Sequence, residues 1–240
     1  MHLAEATTTD AADLDTDLAC LPVGSTEQHG PHLAMGTDTY AAEAVASAGA
    51  EAYDGEVAVA PPVTVGISEE HRDFAGSLWV SPDTFRAYVR ETIASLAHSG
   101  FDRVVVVNGH GGNTDALRET CARVTRDETA YAVPFTWFDA VGVDDLGHGG
   151  PVETSLVWHH RQDLVREDRF EAAAPGADAT FGEWVAGTNL ACDFAEFTES
   201  GNLGDPAEAD PDRGEALLAA AAEALCDLLT AVADRERDVD

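Results

Sequence analysis

Residues 103–107 read Arg-Val-Val-Val-Val and run directly into Asn108-Gly-His-Gly-Gly-Asn113. A strand with no polar side has to be covered on both faces, as a central strand of a parallel sheet is. The rest of the chain fits around it. Asp17 to Val23 reads as a short buried strand, and Val57 to Ala60 as another, stopped by Pro61-Pro62. Thr129 to Phe135 reads as the strand after the valine run. Helices fall between them. Asp38 to Ala50 is Ala-rich. Ser81-Pro82-Asp83 is a helix start, with a cap residue, Pro at the first position and an acid in the first turn. Phe85, Val89, Ile93 and Leu96 follow at helical spacing. Asn113 is expected to cap a helix carrying Leu117, Cys121 and Val124 on one face. Val152 to His159 is helical, ending in His159-His160, and Leu217, Ala221, Leu225, Leu228 and Val232 define a final amphipathic helix.

Strands alternating with helices imply an α/β layered domain with a mostly parallel sheet. No internal repeat and no linker stands out, so residues 1–240 read as a single domain, with 1–16 as a loose lead-in. Residues 171–212 have no strong period and many Gly, Pro and Asp, and are expected to be loops.

The chain carries 45 acidic and 13 basic residues, a formal net charge of −32, and every basic residue is Arg. Such a chain repels itself at low salt and is screened at high salt, which points to a halophilic source. An acidic mimic or cation buffer is the weaker reading, because the acids are scattered along the chain and form no tail. The charge argues against nucleic acid or an anionic membrane as partner, since phosphate binding needs a basic patch. Cys20, Cys121, Cys192 and Cys226 are too dispersed for a zinc ribbon or a redox pair and are read as core thiols. No apolar run is read as membrane-spanning, and the N-terminus is unlike a signal peptide, so a cytoplasmic protein is expected.

The chemistry-bearing segments start where strands end, the place where open α/β sheets bind ligands. Gly24-Ser-Thr-Glu-Gln-His-Gly-Pro-His32 contains Glu27 and His29, two apart and therefore on one side of an extended segment, with Asp38 shortly after. Alone, Glu27 and His29 read as polar loop residues. With Asp38 and His110 added, a metal site is the better reading, and carboxylate oxygen with imidazole nitrogen suits Zn²⁺, Mn²⁺ or Fe²⁺ over Ca²⁺. Asn108 to Asn113 also has the look of a phosphate-cradling turn, but it has neither Gly-Lys-Ser/Thr nor the G-x-G-x-x-G order. His148 on a Gly-rich turn and Glu153 in the first turn of a helix would each be ordinary surface residues in isolation; beside that turn both become candidates. Ser68 to Ser77 reads either as a polar loop or as a pocket wall using His71, Gly76 and Ser77, with Gly111 and Gly112 opposite.

Taken together, these segments resemble the creatininase (creatinine amidohydrolase) family. The matching stretches are Gly24 to His32 with Thr37-Asp38, Glu70-His71 with Phe74-Ala-Gly76, Asn108 to Asn113, and His148 with Glu153-Thr-Ser155. The resemblance implies a three-layer α/β/α sandwich, a homo-oligomer (a hexamer) and two divalent metal ions. It implies that Glu27, Asp38 and His110 hold one ion and His29 and Asp38 the other, with Asp38 bridging. His148 matches the family's catalytic histidine, and Glu153 an acid beside the metals that would complete the coordination. Creatininase proper carries Tyr and then a metal-binding Glu where this chain has Gly111 and Gly112, and Trp where it has Asp144. Those departures argue against creatinine as substrate. The chain is more similar to the broad Asn-Gly-His-Gly-Gly-Asn branch, which includes mycofactocin-peptidase-like and formamidopyrimidine-deformylase-like members. The expected activity is metal-dependent hydrolysis of an amide-type C–N bond in a cyclic amide, a formamide or a short peptide end. The alternative is a non-catalytic metal- or nucleotide-phosphate-binding protein on the same scaffold.

Overall fold

The structure, a computed structural model, describes residues 1–235; residues 236–240, the end of the expected single domain, lie outside the described residues. In chain order the elements are α1 (Thr8–Asp13), β1 (Leu18–Val23), α2 (Thr37–Ala52), β2 (Ala58–Val59), α3 (Pro82–His98), β3 (Arg103–Asn108), α4 (Thr114–Arg126) and β4 (Tyr131–Thr136). They continue with α5 (Trp137–Val141), α6 (Pro151–His160), α7 (Phe170–Ala173), β5 (Trp184–Val185), β6 (Thr188–Asn189) and α8 (Pro211–Ala233). The main sheet has the order β2-β1-β3-β4 and is parallel throughout. β1 and β3 are its two inner strands.

Alternation along β3 divides its valines between two cores. Val104 and Val106 face α3 and α4, among Phe85, Val89, Ile93 and Leu117. Val105 and Val107 face α2, α6 and α8, among Val45, Leu156, Leu225 and Leu229. The result is the expected three-layer α/β/α sandwich with a parallel sheet. α3 starts as its sequence predicts: Ser81 Oγ accepts from the Thr84 N–H at 3.3 Å, and Pro82 opens the helix. The register pairs Leu18 with Arg103 and Val23 with Asn108, so β1 and β3 end level. The Gly109 N–H then donates to the Val23 carbonyl at 2.9 Å, and the two chemistry-bearing turns leave the sheet side by side.

Four expectations need correcting. The lead-in is tied down at its start: the Val59 N–H donates to the Met1 carbonyl at 2.8 Å and the Leu3 N–H to the Val59 carbonyl at 2.9 Å. The unpaired edge of β2 offers those groups a ladder, and residues 1–3 complete it. Asn113 does not cap α4. It is in the helical region, and its buried amide instead accepts from the Ile67 N–H at 3.0 Å and donates to the Gly24 carbonyl at 3.0 Å. α8 is, by length and composition, apolar enough to cross a membrane, with a mean hydropathy of 1.8. Its stripe of Leu217, Ala221, Leu225, Leu229 and Val232 is buried in the core it shares with α2 and α6, where Leu229 takes the place expected of Leu228. All four thiols are free, but only Cys20 and Cys121 are core residues; Cys192 is exposed and Cys226 half-buried.

Candidate metal centre and active site

A close backbone approach assembles the centre. A Cβ on Gly109 would lie 2.1 Å from the Asp38 carbonyl oxygen, so only glycine lets the first turn of α2 rest on the end of β3. That contact sets Asp38 between the turns that follow β1 and β3. Asp38 Oδ1 lies 3.0 Å from His29 Nε2, and Asp38 Oδ2 lies 3.2 Å from His110 Nδ1. Glu27 Oε1 is also 3.2 Å from His110 Nδ1. Asp38 thus divides its two oxygens between two imidazoles. Glu27, His29, Asp38 and His110 are all buried.

Hydrogen bonds on the far side of each ring fix which nitrogen carries the proton. His29 Nδ1 donates to the Glu27 carbonyl at 3.1 Å, and His110 Nε2 donates to the Ile67 carbonyl at 2.7 Å. The nitrogens turned toward the carboxylates are then the ones free to take up a proton or a metal ion, the arrangement that orients imidazoles as metal ligands. Glu27 Oε2 is buried without a hydrogen-bond partner, and Glu27 Oε1 and Asp38 Oδ2 face imidazole nitrogens at 3.2–3.3 Å. Buried carboxylates so short of donors require positive charge. The same demand shows in the titration of the rings. Burial works against charge on His29, yet Asp38, with Glu153 and Glu27 behind it, raises its pKa to about 10. Burial is likewise overcome at His110 by Glu27 and Asp38, which hold it well above the usual histidine range. Burial opposes the ionised form of Glu27, but His110 and His71 hold that carboxyl well below the usual range. Divalent cations answer this demand as well as protons do, so the residues fit the metals that the sequence implies.

Glu27, Asp38 and His110 form one group whose ligand atoms lie within 4.8 Å of one another; His29, His148 and Glu153 form a second, and Glu27, His71 and His148 a third. The third is the least suited to a metal. Gln28 Nε2 donates to His71 Nδ1 at 2.9 Å and to the Gly201 carbonyl at 2.8 Å, while Gln28 Oε1 accepts from the Gly30 N–H at 2.9 Å. That network fixes the amide, so His71 Nδ1 accepts and the ring N–H is at Nε2, which faces Glu27 Oε1 at 3.3 Å. His71 therefore orients Glu27 and has no bare nitrogen to offer there.

Glu153 Oε2 lies 3.9 Å from His29 Nε2 and accepts from the Gly149 N–H at 2.6 Å. Burial, opposed by His29 and reinforced by Asp38 and Glu27, pushes its carboxyl up to about 7. His148 is stacked between His29, with ring centroids 4.3 Å apart, and His71, at 4.5 Å. Its Nε2 donates to the Gln28 carbonyl at 2.5 Å, which leaves Nδ1 bare and 3.8 Å from Glu27 Oε1. Burial, then the neighbouring imidazoles of His29 and His71, hold its pKa well below the usual value. His148 is thus a neutral, pinned imidazole with a free nitrogen.

These groups open onto a cavity of about 830 Å³ lined also by Glu70, Gly111 and Gly112. Gly76 and Ser77 stand behind it. A Cβ on Gly76 would meet Met35 Sδ, and Ser77 Oγ accepts from the Gln28 N–H at 3.2 Å, so that loop supports the turn and does not line the cavity. Gly112 leaves no space for a side chain: a Cβ there would lie 2.4 Å from the Ile67 carbonyl oxygen.

Several contributors lie outside the motifs. Gln28 joins His71, His148 and residue 201, and its only signal is its place between Glu27 and His29, pointing the other way. Phe194 covers the rings, 4.0 Å from His71 and 4.8 Å from His148 between centroids. Asn202 is fully buried and donates to the Ala173 and Gly204 carbonyls at 3.0 and 2.9 Å, holding the segment that carries Leu203 against His148. His32 is buried with Nε2 at 3.1 Å from Thr154 Oγ1. Nothing in the periodicity of residues 171–212 marks Phe194 or Asn202.

Buried carboxylates and imidazoles gathered at the carboxyl ends of a parallel sheet, with a pinned histidine beside a cavity, define a hydrolase built around a candidate metal centre. The chain belongs to the creatininase family, whose creatinine amidohydrolase profile matches residues 4–229. It is 36% identical over 208 residues to a mycofactocin precursor peptide peptidase of Mycobacterium ulcerans, covering 83% of this chain and 79% of that one. It is 28% identical over 235 residues to a creatinine amidohydrolase of Pseudomonas putida, covering 87% of each. Among solved structures, a creatininase described with Mn superposes with a TM-score of 0.82 at 25% identity, covering 98% of this chain and 99% of that one.

Proposed function

We propose that this chain is a metal-dependent amidohydrolase that cleaves an amide-type C–N bond at the end of a short peptide, with two divalent cations, Zn²⁺, Mn²⁺ or Fe²⁺, as cofactors. The observation that carries the proposal is Asp38, whose oxygens face ring nitrogens of two different imidazoles at 3.0 and 3.2 Å. Glu27, Asp38 and His110 would hold one cation, and His29, Asp38 and Glu153 the other, with Glu153 in place of the acid that Gly112 lacks. Such cations lower the pKa of a water and polarise a carbonyl.

The chain's own residues do the rest. His148 is neutral and presents Nδ1 toward the cluster, so it takes the proton of the attacking water and returns it to the departing nitrogen. The Gln28 carbonyl keeps that ring in one tautomer, and Phe194 shields it from solvent. His71 directs Glu27 toward the cluster. Gly111 and Gly112 keep one wall free of side chains, and Glu70 stands beside them.

A peptide end is favoured over a small ring by two observations. The cavity of about 830 Å³ is toward the upper end of the range for small-molecule sites. The chain is 36% identical to a precursor-peptide peptidase and 28% identical to a creatinine amidohydrolase. A formamide or a cyclic amide is the comparison substrate. A nucleotide-phosphate ligand at this centre is disfavoured, because Glu27, Asp38 and Glu153 would repel it. The apolar side chains of Phe181, Trp184, Val185 and Leu190, each at least 49% exposed, support a homo-oligomer. Hydrolysis of C-terminal dipeptide amides, formamides and creatinine, measured before and after chelation, tests the reading. Activity is expected on the peptide substrates, lost with chelator and restored by Zn²⁺ or Mn²⁺. Full activity in metal-free protein would refute it.

A further inference from the structure

The chain's scarce cations are not evenly spread. A groove of about 210 Å³ on the α3–α4 layer is lined by Arg86, Arg90, Arg123 and Arg126, with Glu119 and Thr120. Four of the 13 basic residues of a chain with net charge −32 meet there. None of them lines the larger cavity.

Ion pairing accounts for only part of this cluster. Arg86 Nε lies 2.8 Å from Glu119 Oε2 and its Nη1 3.4 Å from Asp83, while Arg123 Nη1 lies 3.6 Å from Asp127. Arg90 and Arg126 have no ion pair among the described residues. Among the described residues Glu119 is the only carboxylate lining the groove, so positive charge dominates it. Like charges crowded in a cleft focus a field that an anion relieves.

The second observation is Thr120. It is 5% exposed, and its hydroxyl is buried with no hydrogen-bond partner. A threonine inside a helix ordinarily returns that bond to the carbonyl one turn back. This hydroxyl does not, and Thr120 is one of the residues lining the arginine groove. A buried polar group left unpaired is one that a water or an ion from outside the chain can satisfy.

We propose that the α3–α4 groove binds a small tetrahedral oxyanion of the phosphate class, free or as the phosphoryl group of a larger molecule. Arg90 and Arg126 supply charge-assisted hydrogen bonds, for which the planar guanidinium is well shaped, and the unpaired Thr120 hydroxyl rotates outward to donate to the bound anion. The site is separate from the hydrolytic centre, so the proposal stands whether or not the substrate assignment does.

Equilibrium dialysis of the metal-loaded full chain against inorganic phosphate, and separately against AMP, tests it. Phosphate held at the metal centre remains in every variant, so the difference between proteins reports the groove. Arg90→Gln with Arg126→Gln is expected to weaken the groove component roughly tenfold or more while hydrolysis is unchanged. Binding of phosphate alone identifies the free ion, and tighter AMP binding that is also lost in the double variant identifies a phosphoryl ester; either supports the proposal. Thr120→Val keeps the shape and removes the orphan hydroxyl. It is expected to match or exceed the wild-type melting temperature without phosphate and to lose most of the rise that phosphate produces. Undiminished phosphate binding by the double variant would overturn the proposal. So would a Thr120→Val variant that melts lower yet keeps the full phosphate-dependent rise, or a double variant whose only change is a loss of oligomer mass, which would make the groove a seat for a second copy.

Discussion

The cavity has two sides made in opposite ways. One side, from Glu27, Asp38 and His110, stands at the ends of β1 and β3 and in the first turn of α2, with His110 held by a backbone carbonyl, Asp38 by a close helix contact and Glu27 by His71. The other, from Phe181 and Phe194 to Leu203 and Glu208, comes from a stretch with little regular structure, held by single side chains such as Asn202. The sheet side fixes what chemistry is possible. The irregular side fixes what fits beside it. Their different supports mean that they should fail differently.

The sharpest separation comes from His148→Ala. Turnover is expected to fall by ~10²–10⁴-fold with bound metal unchanged, as for loss of a general acid–base. Steady-state kinetics beside metal analysis would show it, and a parallel loss of metal would merge His148 with the ligand set. Next is Gly112→Ala on the sheet side. With the Ile67 oxygen 2.4 Å from the new Cβ, the 67–70 loop must move, at a cost of about 1–3 kcal/mol in thermal or denaturant unfolding. An unchanged melting temperature would show that this wall yields more easily than its backbone contact implies.

On the irregular side, Asn202→Ala removes two buried hydrogen bonds and leaves two carbonyls unpaired, a loss of about 1–3 kcal/mol. The comparison requires that KM rise while metal content stays fixed, with faster hydrogen exchange confined to residues 170–205. The smallest effect is a pH dependence. Burial, and then the positive field of His29, lower the pKa of His32 to about 4. Its unfolded value is near 6.5, so the unfolded chain binds the extra proton between those values. The stability that neutral His32 contributes is present above pH ~6.5 and is lost as the pH falls toward ~4, with a drop of about 1.5 kcal/mol by pH 5. His32→Gln should flatten that slope in urea titrations; an unaltered slope would assign the acid sensitivity elsewhere.

The two sides also differ in how much of them was legible in the sequence. The valines of β3 demand cover on both faces, and Phe85, Val89 and Ile93 repeat at the helical period, so the layers could be read directly. Glu27, Asp38 and His110 were legible because polar residues and glycines cluster just past strand ends. The roles of neighbouring residues were less so. His71 was expected to line a substrate pocket and does line the cavity, but its second role, as a donor to Glu27, depends on the orientation of Gln28 and so on contacts with residue 201 that no local pattern encodes. Asn113 looked like a cap because Asn favours caps, yet tertiary contacts with Gly24 and Ile67 use its amide. Phe194 and Asn202 were illegible for a related reason. A segment held by isolated long-range bonds has no period to read.

The central claim is that Asp38 bridges two cations. Mass-spectrometric metal analysis of purified protein, wild type against Asp38→Asn at matched fold stability, tests it most directly. The account predicts close to two equivalents of divalent metal per chain in the wild type and a loss from both sites in the variant, since each carboxylate oxygen faces a different imidazole. Two equivalents retained by Asp38→Asn, or a wild type that binds none, would contradict it.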